Sequence, residues 1–325
     1  MTLIRSEIIG VGRYLPAKVL TNFDLEKMVE TSNEWIVERT GISERHLAAE
    51  GEYTSHLATY AAREALTDAG LDISDIDLII VATTTPDNTV PATAVKVQHA
   101  LGMKHGFAFD IQAACSGFMY ALATANNYIR SGMVRRVLVI GAETLSRIVD
   151  WTDRNTCVLF GDGAGAVVLA ATSGEGSISD TGVLNVVLRS DGVGFPMLCT
   201  PTGPSVGHEV GYVHMEGREV FRSAVNYLSD IAEEVMHQSG VRASDLNYFV
   251  PHQANIRIIE ATAKKLGLPM EKVALTLPKH GNTSAASIPL ALYETIKSGR
   301  VHAGDLILLD SMGAGFTWAA ALIRL

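Results

Sequence analysis

Apolar residues run unbroken through several short stretches of this chain, and such runs mark strands buried on both faces. Asp77-Leu-Ile-Ile-Val-Ala82 is the clearest. Arg136-Val-Leu-Val-Ile-Gly141 and Ala164-Gly-Ala-Val-Val-Leu-Ala170 read the same way, as do Ile8-Ile-Gly-Val-Gly12 and Phe107-Ala-Phe-Asp110. Between them the spacing changes to that of helices. Thr54 to Gly70 sets Leu57, Ala61, Ala65, Leu66 and Ala69 on one side. Val90-Pro91 opens another helix, through Val95 and Val97 to Leu101, and Phe118 to Ile129 forms one more. Thr21-Asn-Phe-Asp24 offers cap residues for a helix. Ser32 or Thr31 is the N-cap of a short helix that holds Trp35 and Arg39 at i, i+4, on one face. Alternating strands and helices with apolar runs imply α/β architecture, with mainly parallel sheets covered by helices.

The pattern occurs twice. Ala61 to Gly70 is mirrored by Ile231 to Gly240, and Ser74 to Ile80 by Ser244 to Val250, an offset of 170 residues. Ile129-Arg-Ser-Gly132 is mirrored by Ile296-Lys-Ser-Gly299, an offset of 167. The turn-rich segment Thr172 to Ser177 separates the copies. The expectation is two duplicated halves, residues 1–172 and 173–325, related by a pseudo-twofold axis. A period this long is not that of a solenoid.

The repeat brings candidate chemistry together. Cys115, in Asp110-Ile-Gln-Ala-Ala-Cys-Ser-Gly-Phe118, falls at a strand-to-helix turn, where orphan N–H groups and the helix dipole favour an anion. Such a place lowers a thiol pKa from its usual ~8.5. From this stretch alone, an inert buried thiol and a nucleophile are both open. The 167 offset carries Cys115 onto Asn282, in Lys279-His-Gly-Asn-Thr-Ser284, as its match in the second half. His252, in Pro251-His-Gln-Ala-Asn-Ile-Arg257, lies just past a buried strand's carboxyl end, where open α/β sheets bind ligands. A lone His or an HGN turn has bland readings. Three such residues converging on one interface favour catalysis.

Composition narrows the class. The chain has 325 residues, 47% of them hydrophobic and 19% charged, which is ample for a large core. A net charge of −9 argues against nucleic acid as main partner. No apolar run is long enough to span a bilayer, and Met1 to Glu7 carries no signal-peptide pattern. Cys115, Cys157 and Cys199 cannot all pair with one another and lack zinc spacing, so the expected compartment is the reducing cytoplasm.

On these residues the chain resembles the β-ketoacyl-acyl-carrier-protein synthase III family of thiolase-like condensing enzymes. The motifs are Ala113-Ala-Cys-Ser-Gly-Phe118, Val250-Pro-His-Gln-Ala-Asn-Ile-Arg257, His280-Gly-Asn-Thr-Ser284, Gly313-Ala-Gly-Phe-Thr-Trp318 and Trp35-Ile-Val-Glu-Arg-Thr-Gly-Ile42. The resemblance extends from about Ile8 to Leu325. It implies a five-layered αβαβα fold, a homodimer, and condensation of an acyl-CoA primer with malonyl-acyl carrier protein (malonyl-ACP), with no metal or redox cofactor. Cys115 would carry the acyl group, and His252 and Asn282 would stabilise an enolate. The backbone N–H groups of Cys115 and Ala314 would hold the oxyanion. Ala314 stands where the family often has Gly, which is tolerable if φ there need not be positive.

The same resemblance implies a tunnel for CoA and pantetheine formed by Thr31, Trp35, Arg39, Arg154, Met215, Gly217, Phe221 and Asn255. Leu145 and Phe160 would line the acyl pocket. Val90 would reach across the dimer to the partner's pocket, where many members carry a large aromatic. Arg222, Arg257, Lys264 and Lys265 would face the acidic carrier protein. Gly161-Asp-Gly-Ala-Gly165 lacks dinucleotide-loop spacing and reads as a tight turn between strands. That disfavours a nucleotide-dependent oxidoreductase. Intact Cys115, His252 and Asn282 disfavour an inactive scaffold. A degradative thiolase would need a further cysteine near the C-terminus. A starter enzyme of polyketide or alkylquinolone synthesis shares the Cys-His-Asn set and is the alternative.

Overall fold

The structure is a computed structural model that describes residues 3–207 and 209–325. Its early strands are β1 (Leu3–Tyr14), β2 (Lys18–Thr21), β3 (Glu44–Leu47), β4 (Leu78–Ala82), β5 (Phe107–Ile111), β6 (Arg136–Thr144) and β7 (Asp162–Gly174). The later ones are β8 (Gly182–Ser190), β9 (Leu198–Cys199), β10 (His214–Met215), β11 (Tyr248–Pro251), β12 (Leu306–Gly313) and β13 (Thr317–Arg324). Helices α1 (Asn22–Leu25), α2 (Asn33–Thr40), α3 (Thr54–Ala69), α4 (Thr93–Leu101), α5 (Gly117–Arg130) and α6 (Arg154–Cys157) come first. They are followed by α7 (Gly217–Gln238), α8 (Ile256–Lys265), α9 (Leu277–His280) and α10 (Ser287–Lys297).

Two sheets carry the fold, ordered β1-β7-β6-β4-β5 and β11-β12-β13-β8. Helices α5 and α10 lie between them, α3 and α4 cover the first sheet's outer face, and α7 and α8 cover the second's. The result is five layers, αβαβα. The unbroken apolar runs follow from this sandwiching. In β4, Leu78, Ile80 and Ala82 join the middle core, while Ile79 and Val81 join the core under α3 and α4. In β12, Ile307 and Leu309 face the middle and Leu306 and Leu308 the other outer layer. Each Val, Leu or Ile side chain among them contributes roughly 1.5–3 kcal/mol on full burial.

The sheets are mixed, and parallel pairing does not dominate them. It is confined to β4–β5, β4–β6 and β11–β12. The pairs β1–β7, β6–β7, β12–β13 and β13–β8 are antiparallel. Between β12 and β13 only Ala314–Phe316 intervene, too short a link for a parallel crossover.

Three local readings change. Helix α4 begins at Thr93, not at Val90-Pro91. Its first N–H groups are capped from outside by Asp110, whose carboxylate accepts from Thr93 and Ala94, each at 2.7 Å. Gly161–Gly165 is not a turn, since β7 starts at Asp162. The glycines serve close packing instead: a Cβ on Gly165 would stand 2.7 Å from the Leu290 nitrogen of α10.

The third change concerns the repeat. The 3-10 turns Ile73–Asp75 and Ala243–Asp245 match at 170, as do the 3-10 turns Ala114–Ser116 and Ser284–Ala286. The latter two share a left-handed residue, Ala114 (φ 46) and Ser284 (φ 49). Cys115 therefore matches Ala285, not Asn282. Helix α5 has 14 residues and α10 has 11, so the offset of 167 at their ends cannot hold at their starts. Where a copy of β5 would fall, the chain makes one bridge, Phe249 with Val273, and then α9. Asn282 thus reaches the site by a route with no equivalent in the first half.

Candidate active site

The turn Ala114–Ser116 runs straight from β5 into α5 and presents Cys115 at the helix start. The end of β12 presses on it. A Cβ on Gly313 would lie 2.5 Å from the Cys115 nitrogen, so only glycine permits this approach. Thr317 ties the two turns together, its Oγ1 donating to the carbonyls of Ala113 (2.9 Å) and Ala314 (3.2 Å). Ala314 does not adopt positive φ, whereas Gly315 does, at 137°. The Cβ at Ala314 is therefore accommodated without backbone strain.

Cys115 is buried, 8% exposed. Burial pushes its thiol up to about 11; the neighbouring Ser284 hydroxyl opposes this and the Glu143 charge adds to it. The depressed value expected from the helix start is corrected accordingly. Loss of hydration is the largest of the causes acting on the sulfur. Glu143 is itself fully buried and is wrapped by Thr83, Thr84 and Thr85, with Thr85 Oγ1 donating at 2.6 Å.

His252 follows β11, and its backbone N–H donates to the Asp310 carbonyl at 2.8 Å. The side chain is buried, and neither ring nitrogen has a protein partner among the described residues. Burial pushes its pKa down to about 4, so the imidazole is neutral at physiological pH. It then offers one N–H and one lone pair.

Asn282 is held as a strand residue. Its N–H donates to Leu159 O (2.8 Å), its carbonyl accepts from Gly161 (3.0 Å), and it forms a bridge with Phe160. Its Oδ1 accepts from the Ser284 N–H at 2.9 Å. That bond assigns the amide's orientation and leaves Nδ2 as a donor. Cys115 and Asn282 therefore converge on Ser284, while β12 links the Cys115 turn to the His252 backbone.

An open cleft of about 1320 Å³ lies on the surface beside this group, and none of Cys115, His252 and Asn282 lines it. Leu159, whose carbonyl holds Asn282, lines it together with Val158. Of the tunnel residues expected from sequence, Trp35, Arg39, Met215, Gly217, Phe221 and Asn255 line it, as do Arg222 and Arg257. Ser32 Oγ caps α2 by accepting from the Trp35 N–H at 3.1 Å, which settles the choice of N-cap against Thr31. Arg39 and Arg154 place their guanidinium carbons 5.5 and 5.2 Å from the Trp35 ring centroid. Arg257 lies over Phe221 at 5.6 Å.

Thr31 and Arg154 are not among the cleft-lining residues, although Arg154 reaches Trp35. Leu145 and Phe160 are buried in the core beside the cleft. Lys265 Nζ donates to Asn226 Oδ1 at 2.9 Å, Arg222 pairs with Glu219 at 3.6 Å, and Lys264 is exposed. Val90 is 82% exposed and contributes nothing to its own chain's pocket. The sequence reading missed Arg218 at the cleft, and Ser284 and Glu143 beside the thiol. The run Thr83-Thr84-Thr85 after a buried strand was the available hint of a buried acceptor.

The chain is similar throughout to proteins of one family. Residues 109–192 match the family 3-oxoacyl-[acyl-carrier-protein] synthase III, and residues 236–325 match its C-terminal counterpart. A β-ketoacyl-[acyl-carrier-protein] synthase III of Paramagnetospirillum magneticum is 60% identical, covering 99% of this chain and 100% of that protein. A protein of the same name from Bradyrhizobium diazoefficiens is also 60% identical, with both chains covered fully. The crystal structure of the Aquifex aeolicus 3-oxoacyl-[acyl-carrier-protein] synthase III superposes with a TM-score of 0.93 at 50% identity, covering 98% of this chain and 100% of that one. With its thiolase-like fold, this chain belongs to the β-ketoacyl-[acyl-carrier-protein] synthase III family of condensing acyltransferases.

Proposed function

We propose that this chain starts fatty acid synthesis by joining an acyl-CoA primer, acetyl-CoA by default, to malonyl-ACP in a decarboxylating condensation. The observation that carries the reading is the buried set around Ser284 and the end of β12. It comprises a protonated thiol, a neutral unengaged imidazole and an amide with its oxygen tied down.

Cys115 Sγ attacks the primer thioester carbonyl, whose oxygen is held by the N–H groups of Cys115 and Ala314. The bond to the CoA sulfur breaks, and the thiol proton leaves with CoA. Malonyl-ACP then binds, its carboxylate carbon departs as CO2, and the electron pair stays as an enolate. One N–H of His252 and one of Asn282 Nδ2 donate to that oxygen. Fixed donors in a dry site stabilise such charge without reorganisation, and a neutral imidazole suffices as donor. The carbanion attacks the acyl carbonyl and expels the Cys115 thiolate. A proton from solvent then returns to the thiolate, which a pKa of about 11 favours, and resets the site.

Trp35 with Arg39 and Arg154 would bind the CoA adenine, the Arg154 guanidinium giving way as the base stacks. Thr31, Met215, Gly217, Phe221 and Asn255 are assigned to the rest of CoA and pantetheine. Leu145 and Phe160 are assigned to the acyl pocket, and Arg222, Arg257, Lys264 and Lys265, now with Arg218, to the carrier protein. Residues 1–172 form the half that supplies the nucleophile, and 173–325 the half that supplies His252 and Asn282. No helix among the described residues is long and apolar enough to cross a membrane. We place the enzyme in the cytoplasm as a homodimer.

Mass spectrometry after incubation with acyl-CoAs tests the first step. Wild type, Cys157→Ser and Cys199→Ser should gain the acyl mass, and Cys115→Ser should not. His252→Ala and Asn282→Ala should still load while losing malonyl-ACP decarboxylation by about 3 kcal/mol of transition-state stabilisation. Loading of Cys115→Ser at the wild-type level would end this reading.

A further inference from the structure

We propose that Arg45 is a positioning residue for Asn282, fixing its amide through the backbone segment Val158–Gly161. The inference rests on the role proposed above for Asn282. Arg45 lies in β3 and is fully buried. It takes part in no ion pair among the described residues. Burial lowers its pKa to about 10, so it remains charged at neutral pH. A charge kept in the core without a counter-ion is unfavourable unless its hydrogen bonds compensate. Those bonds point to its task.

Arg45 Nη2 donates to Val158 O at 2.7 Å, and Nη1 donates to Asn22 Oδ1 at 2.9 Å and Leu20 O at 3.3 Å. Val158 leads directly into the residues that bracket Asn282, Leu159 O and Gly161 N–H, at 2.8 and 3.0 Å. The aliphatic stem of Arg45 spaces the same strands. A Cβ on Gly161 would stand 3.0 Å from Arg45 Cβ and 2.6 Å from His280 O. A Cβ on Gly281, next to Asn282, would stand 3.1 Å from Arg45 Cβ. Two glycines thus let both strands close on the root of the Arg45 side chain. Its fixed fork sets the height of Val158, and the bridge passes that placement to Asn282. Lysine has three donors on a single nitrogen and lacks the planar fork that reaches Asn22 and Val158 from two nitrogens. Asn22 also donates to Asn33 Oδ1 at 3.1 Å, at the start of the helix that bears Trp35.

The test compares wild type, Arg45→Lys and Asn282→Ala for acyl loading of Cys115 by mass spectrometry and for malonyl-ACP decarboxylation. Arg45→Lys should load at the wild-type rate while decarboxylation falls by on the order of 100-fold, as for a reacting group misplaced by about an ångström. Arg45→Lys combined with Asn282→Ala should fall no further than Asn282→Ala alone, because both act through one amide. Parallel loss of both steps, or additive losses, would overturn the proposal. If Arg45→Lys does not fold, Asn22→Ala leaves the guanidinium in place and removes one of its acceptors. It should give the same split at smaller amplitude, and its failure to do so would overturn the proposal as well. A crystal structure of the folded variant reads the claim without turnover. Asn282 should be displaced while Cys115 and the Phe160 ring stay. An unmoved Asn282 would refute the positioning role, whereas an inert wild type or a fully active Asn282→Ala would refute only the function assigned to Asn282.

Discussion

At Cys115 the local sequence and the surroundings pull in opposite directions. The turn before α5, and the thiol's place on it, were legible from residue types alone. The thiol's pKa was not, because burial and Glu143 come from elsewhere in the chain. A pKa near 11 means that the thiolate fraction rises about tenfold per pH unit through the neutral and mildly alkaline range. Alkylation of Cys115 by iodoacetamide in the free enzyme should therefore keep accelerating from pH 7 to pH 10. A plateau beginning near pH 8 would mean that the helix start governs the sulfur after all. His252 illustrates the same division. Its place after a buried strand could be read from sequence, while its neutrality follows from packing on every side.

Elements were legible where one local cause dictates them. Strand β4 is apolar throughout because both its faces are covered, and α3 ends at Gly70 because φ there is 65. Where the cause is tertiary, the reading failed. Asp110 caps α4 from a neighbouring strand, and no spacing within the helix announces it. The glycines at the start of β7 look like turn residues and are instead contact surface for α10. Gly165→Ala tests that point, since φ at Gly165 lies outside the left-handed region and steric contact alone decides the outcome. The added methyl would meet Leu290 N, Pro289 C and Pro289 Cβ at 2.7–2.8 Å. Overpacking of this kind costs typically 1–3 kcal/mol, roughly. Urea denaturation should register the loss, and an unchanged midpoint would show that α10 can retreat freely.

On the scale of the whole molecule the duplication explains both the two sheets and their inequality. The second copy lacks a β5, which leaves the first sheet with an edge the second does not match. That edge carries Phe107, 38% exposed, beside the aromatic cluster of Phe107, Phe109 and Tyr128. An uncovered apolar edge strand invites pairing with another chain, which supports the homodimer proposed above. Val90 belongs to the same surface question. Its loop is anchored before Val90 by Thr83–Thr85 on Glu143 and Asp87 on Ser55, and after it by Asp110 on the start of α4 and Lys96 on Asp87. The tip between them, with Val90 82% exposed, is thus a firm apolar projection rather than part of its own chain's core. If Val90 enters the partner's acyl pocket, its small side chain leaves room that an aromatic ring would fill. A methylene in an apolar pocket shifts selectivity by only ~1–3 kcal/mol, so acetyl-CoA should remain a substrate while longer and branched primers are also admitted. Val90→Phe should then depress the longer primers selectively and spare acetyl-CoA, measured as kcat/KM across straight and branched acyl-CoAs. The discrimination should disappear in a variant made monomeric at the β5 edge, such as Phe107→Lys with sedimentation confirming the state. An unchanged chain-length profile in dimeric Val90→Phe would remove Val90 from the pocket and with it this support for the dimer.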